Sequence, residues 1–378
     1  MSTAAATFVE MHRALRWRAF DWQLLLYVML LIAFGVVMGY SVNYQAIAGA
    51  GGLSQTVKTL IWSGIGLTLF VVASSIDYHW LQTFATPTYL VVLGLLAATD
   101  LIGTNLFGAQ MSITVAGLDF QFSEISKVLM IVVLATFLSS RGERIGRLST
   151  IVGAGLLMVV PTYLVFRQPD LGTALVFVAI LIGMLFLGGA SVGWLSLLAG
   201  GAVALAPFAV GALQEYQRQR LFCFVNPSTD PQGACYQLVQ ALNAVGSGGL
   251  LGQGLTAGRQ NQLGFLPVQS TDFIFTVLAE ELGFVGGVVL LTIFALLIWR
   301  VLRIGWGARD PLGMGIAAGM ASMLLFQITV NIGMVTGIMP VTGIPLPFIT
   351  YGGSSMISLL FGLGILQSVR MHAWKPTF

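Results

Sequence analysis

Long apolar runs separated by short polar stretches dominate this chain, with neither the strict alternation of half-buried strands nor the narrow stripe of soluble surface helices. Ten runs stand out, at about 21–41, 57–76, 82–103, 124–140, 148–166, 170–189, 192–213, 272–300, 313–338 and 352–370. A bilayer core about 30 Å thick needs roughly 20 helical residues to cross it. The pattern therefore predicts an all-α integral membrane protein of about ten transmembrane helices. A polar tail at 1–20 precedes a polytopic domain at 21–370, and a tail at 371–378 follows it. A long loop at 214–270 joins spans seven and eight. The run from Phe20 to Tyr40 is too long for a signal-peptide core and lacks a small-residue cleavage pattern, so it reads as an uncleaved anchor. No segment recurs at a fixed period or in inverted order, which weighs against transporter folds built from repeats.

Composition narrows the class further. Of 378 residues 57% are hydrophobic and 8% charged, against about 25% charged in ordinary soluble domains. The 46 glycines have no period and there are two cysteines, which excludes collagen-like and disulfide-dense chains. A net charge of +3 gives no ground for a nucleic-acid partner.

Where the charges sit says more than their sum. Arg13, Arg16, Arg18, Arg141, Arg144, Arg147, Arg300, Arg303, Arg309, Arg370 and Lys375 fall on one face of a ten-span layout, eleven of the 17 basic residues. By the positive-inside rule that face, with both termini, is cytoplasmic. The loop at 214–270 is then extracytoplasmic. His12, His79 and His372 all fall inside, so chemistry at the outer face has no imidazole and must take a carboxylate as its base. No Gly-x-x-x-x-Gly-Lys-Ser/Thr loop occurs, which argues against a nucleotide-driven pump.

Ionisable groups at a membrane edge are functional candidates. Asp272 opens span eight within Thr271-Asp272-Phe273-Ile274-Phe275, where it could cap the helix or act in catalysis. Glu280 and Glu281 lie further along the helix, point differently, and suit interhelical hydrogen bonds. Glu124 and Lys127, three apart, form a local pair on one helix face, or a site in which Glu124 orients Lys127 toward an anionic ligand. Arg218 and Arg220, in Tyr216-Gln217-Arg218-Gln219-Arg220, suit phosphate binding or simple solvation. The stretch Gly246–Gly254 reads as close packing or a hinge. Helix breakers from Gly343 through Ser355 interrupt an apolar region, which predicts a cavity wall. Cys223 and Cys235 share the outer loop and are open to two readings, a disulfide or two free thiols.

Several motifs in order carry a resemblance. Arg167–Ala174 with Asp170, Gly264–Pro267 leading into Thr271–Phe275, Ala279–Phe284, and Asn331–Met334 through Ser355 resemble the SEDS family of peptidoglycan glycan polymerases. The match is strongest from span four onward. Asn261–Pro267 and Pro340–Pro347 look like the RodA, or elongation, branch more than the FtsW, or division, branch. Departures are Phe122 where the family often has proline, Met111-Ser112 after Gly108-Ala109-Gln110 in place of an Arg-Trp turn, and Val268 and Ser270 before Thr271-Asp272.

The resemblance implies that Asp272 matches an essential carboxylate, the general base, and that Glu124 and Lys127 match an important pair. Arg218, Arg220 and Asp170 join them as substrate or pyrophosphate contacts, with Gln327, Asn331, Ser354 and Ser355 as cavity-lining candidates. It implies lipid II as substrate, joined with inversion by β-1,4 bonds, and a class B penicillin-binding protein as partner among the membrane lipids. No cofactor is assigned; a divalent cation, Mg2+ or Mn2+, could share the pyrophosphate charge. Rival readings are a lipid II flippase and a non-enzymatic scaffold. The implied location is the bacterial cytoplasmic membrane, with the active site outside.

Overall fold

A computed structural model describes residues 17, 19–44, 55–102, 104–106, 109–115, 118–263 and 271–373. Each apolar run is a helix. In chain order these are α1 (Trp22–Val42), α2 (Gln55–Ser75), α4 (Ala85–Ile102), α5 (Phe122–Ser139), α6 (Leu148–Arg167), α7 (Leu171–Leu187), α8 (Val192–Ala212), α12 (Ile274–Trp306), α13 (Pro311–Val335) and α14 (Gly353–Ala373), with a short α3 (His79–Thr83). Seven of them are long and apolar enough to cross a membrane, while α4 and α7 carry shorter apolar stretches. The protein is an integral membrane helix bundle.

The loop at 214–270 departs from the sequence reading. It contains α9 (Glu215–Val225), α10 (Tyr236–Ser247) and α11 (Arg259–Gln262). Gln214 and Gln217 cap α9 reciprocally, and α10 buries Leu238, Ala241 and Ala244, one face at a spacing of three, against α12. Cys223 at the end of α9 and Cys235 before α10 form a disulfide with their Cα atoms 5.2 Å apart. Between α4 and α5 the chain adds a three-stranded antiparallel meander of β1 (Thr104–Leu106), β2 (Ala109–Val115) and β3 (Leu118–Phe120) to the expected all-α plan. Part of the Gly264–Pro267 motif's neighbourhood, residues 264–270, lies outside the described residues, as do Arg13, Arg16, Arg18, His12 and Lys375.

The core centres on α13, which packs against α5, α7 and α12, while α14 packs along α2. With lipid as apolar as leucine, close backbone approach replaces hydrophobic burial as the glue. Gly364 shows this: a methyl there would sit 2.6 Å from the Phe70 carbonyl oxygen of α2. At one end of the bundle Arg300 grips Asp21 at 2.6 Å, and Asp21 also caps α1 through the Leu24 N–H at 3.0 Å. Asp77, His79 and His372 gather there too, with His79 Nδ1 2.7 Å from Asp77. Along α14, about 27 Å of helix lies between Ser354 in its first turn and His372.

The break in α12 explains the glycine-rich stretch. Gly283 adopts φ 64°, ψ −163°, a conformation open essentially to glycine alone. Such a break strands backbone groups that lipid cannot satisfy. The Gly249–Gly254 segment lies across it: Phe284 N–H donates to Gly249 O at 2.9 Å and Val285 N–H to Leu250 O at 3.1 Å, while Gln253 and Gly254 N–H donate to Glu280 and Glu281 O at 3.0 Å each. The side chains beside the break are paired as well, with Ser41 Oγ 2.6 Å from both Glu281 oxygens and Gln260 N–H 2.9 Å from Glu280. A Cβ at Gly283 would lie 2.3 Å from Gly252 N. Gly283→Ala should therefore lower the melting temperature of the purified protein, through about 1–3 kcal/mol of backbone strain and that overlap. An unchanged melting curve would contradict the plugged break.

Candidate active site

At the end of the bundle opposite the histidines, four helices begin around a cavity of about 520 Å³. Gln121 and Glu124 come from the start of α5, Asp170 from the turn before α7, Thr271 and Asp272 from the turn before α12, and Ser354 and Ser355 from the first turn of α14. The non-helical segment at 336–352 forms the wall with Pro340, Gly343, Pro345 and Tyr351. Arg220 of α9 closes another side.

Asp272 does not cap α12. The residue at that position is Phe273, with no side-chain cap, and no hydrogen bond is made by the Asp272 carboxylate among the described residues. Its pKa is pushed up to about 6: burial raises it, the Arg220 guanidinium opposes that, and Asp170 adds to it. Asp170, in contrast, is engaged in structure. It caps α7 through Thr173 N–H at 2.9 Å and accepts from Gln121 Nε2 at 3.3 Å. Burial also raises its pKa, against the lowering pull of the Thr173 bonds and of Lys127.

The basic candidates separate in space. The Arg220 guanidinium lies 5.6 Å over the Tyr216 ring and lines the cavity. Arg218 turns away, donating to Val210 and Gly211 carbonyls at the end of α8 at 3.1 and 2.7 Å. Lys127 is buried and bonded to Glu124 at 2.7 Å, so it acts on the cavity through Glu124, which does line it.

Asn331 and Gln327 on α13 are buried and, against expectation, do not line the cavity. The Asn331 amide donates to Asp272 O at 3.1 Å and Ile344 O at 2.7 Å, while Gln327 Oε1 has no partner among the described residues. Ser354 accepts from Gln121 N–H at 3.1 Å. Sequence reasoning passed over Gln121, Tyr216, Gln217, Gln237 and Tyr351. Tyr216 and Gln217 fix α9 by donating to Pro169 O at 2.8 and 3.0 Å, and their proximity to Arg220 was the only signal. No group of three or more His, Cys, Asp or Glu placed to hold a metal occurs among the described residues.

A family model described as "Cell cycle protein", covering FtsW, RodA and SpoVE, matches residues 21–375. The chain belongs to the SEDS family. It is 38% identical over 357 residues to peptidoglycan glycosyltransferase MrdB of Escherichia coli K12, covering 93% of this chain and 94% of that one. It is 36% identical over 370 residues to a probable peptidoglycan glycosyltransferase FtsW of Trichlorobacter lovleyi, covering 95% of each. Of solved structures it matches a peptidoglycan synthase complex, described for coordinating polymerization and crosslinking, with TM-score 0.79 and 31% identity over 94% of this chain and 99% of that one. Thermus thermophilus RodA matches with TM-score 0.71 and 30% identity over 95% and 99%. This SEDS protein is a membrane-embedded glycosyltransferase. The MrdB and FtsW relatives stand at similar identity, so family likeness does not choose between the elongation and division branches.

The Glu124–Lys127 pair generates a stability prediction. Glu124→Gln leaves the Lys127 ammonium buried without its carboxylate and should cost about 3–5 kcal/mol. Replacing both with Leu and Met should cost less than that single change. Unfolding of the three purified variants checks this, and a double variant worse than the single would refute it.

Proposed function

We propose that this chain polymerises lipid II, joining the 4-hydroxyl of one disaccharide to the anomeric carbon of another with inversion and releasing undecaprenyl pyrophosphate. The observation that carries the reading is Asp272: a carboxylate on the cavity, outside the helix it precedes, committed to no structural hydrogen bond and raised to about 6. A base near neutrality with room for a hydroxyl is what the acceptor requires. Pyrophosphate leaves without a protein acid, so one carboxylate is enough, unlike the two of glycoside hydrolysis. Arg220 faces the same cavity and offsets negative charge as it develops on the leaving group. Lys127 supports it at one remove through Glu124. The activated lipid supplies the driving force.

The distribution of basic residues supports an extracytoplasmic cavity. The crowding of its polar groups at one end of the bundle favours an enzyme over a flippase, which would hold them near the midplane. A class B penicillin-binding protein is the natural partner, since the related synthase complex couples polymerization with crosslinking. We assign the chain to elongation on the strength of Asn261–Pro267 and Pro340–Pro347.

Labelled lipid II and the purified protein test the reaction. Wild type should give polymer and Asp272→Asn none at an unchanged melting temperature. Below pH 6 the rate should fall about tenfold per unit as Asp272 takes up its proton, and Arg220→Gln, which removes the charge holding that pKa down, should move this fall to higher pH. Full activity of Asp272→Asn sinks the base; translocation in liposomes without polymer means a flippase, and neither means a scaffold. For the elongation role, the gene should restore rod shape to cells depleted of their elongation polymerase and fail to restore septation in cells depleted of their division polymerase. The reverse result would assign it to division.

A further inference from the structure

The catalytic carboxylate belongs to a turn, and two side chains from other elements hold the backbone of that turn. Asn331, wholly buried on α13, spends both N–H groups of its amide, one on Asp272 O at 3.1 Å and one on Ile344 O at 2.7 Å. Thr350, from the non-helical wall, donates its hydroxyl to Thr271 O at 3.2 Å and accepts Leu346 N–H at 2.8 Å. Two consecutive carbonyls, at 271 and 272, are thereby tied to two points of the wall, 344 and 346. Between them and the cavity sits Gly343, at φ 76°, where a Cβ would lie 3.4 Å from Asp272 Oδ2 and 3.6 Å from Arg220 Nη1.

We propose that Asn331 and Thr350 are positioning residues that brace the Asp272 turn against the 344–350 wall and so fix the carboxylate's aim at the acceptor hydroxyl. The inference rests on Asp272 as the base. Asn331 does not line the cavity, and Thr350, which does, spends its hydroxyl on its two backbone partners. Both are neutral, so their loss changes geometry and leaves the cavity's charge intact. Loss of aim slows the chemical step while leaving binding intact, because an error of about 1 Å at a reacting group can cost on the order of a hundredfold.

The test is steady-state kinetics of the purified full chain on labelled lipid II, with Asn331→Ala, Thr350→Val, Thr350→Ser and Asp272→Asn measured beside wild type, and melting temperatures for each. Thr350→Val preserves shape and removes the hydroxyl, and Thr350→Ser returns it. Expected are a kcat about tenfold or more lower in Asn331→Ala and Thr350→Val with KM within about twofold, and recovery to near wild-type kcat in Thr350→Ser. If Asn331→Ala does not fold, the Thr350 pair decides. A wild-type kcat in Thr350→Val, a loss confined to KM, or a serine variant as impaired as the valine overturns the brace. Polymer from Asp272→Asn brings down the base and the brace together; an inactive Asp272→Asn beside an unimpaired Thr350→Val brings down the brace alone.

Discussion

A chain in lipid must satisfy its own backbone, and each irregular stretch of this protein answers that demand. Where α12 breaks at Gly283, four hydrogen bonds from the Gly249–Gly254 segment take up the stranded groups. Where the chain abandons helix between α13 and α14, Asn331 and Thr350 take up carbonyls of the turn and the wall. The cavity exists because those stretches are held. A continuous helix through residues 336–352 would bury its own polar groups and leave no concave surface.

The same demand sorts the charged side chains. Asp21 and Arg300, Glu124 and Lys127, and Glu281 with Ser41 are partnered inside the bundle. Asp170 is spent on a helix cap. Asp272 is the cavity carboxylate with no such duty among the described residues, and that contrast, more than its position, is what singles it out as the proposed base.

The apolar runs made the ten helices legible, since a span's length and hydropathy are local properties. Asp272, Glu124 and Arg220 were legible as residue types at an edge, and family motifs ranked them. Arg218 was not separable from Arg220 in the sequence: both are arginines two residues apart, and only the helical turn of α9 sends one to the cavity and the other to the α8 carbonyls. The glycine-rich stretch read as packing without its partner, because that partner is a break 30 residues later. The helices of the 214–270 loop escaped notice inside a stretch too polar to span a membrane, although α10 carries a periodic face of Leu238, Ala241 and Ala244 that packs on α12.

Four helices, α5, α7, α12 and α14, start at the cavity rim. Each helix beginning carries roughly half a positive charge from its aligned peptide groups. These four beginnings set a fixed positive contribution beside the carboxylates of Glu124, Asp170 and Asp272, one written into the direction in which the chain enters the chamber and independent of pH.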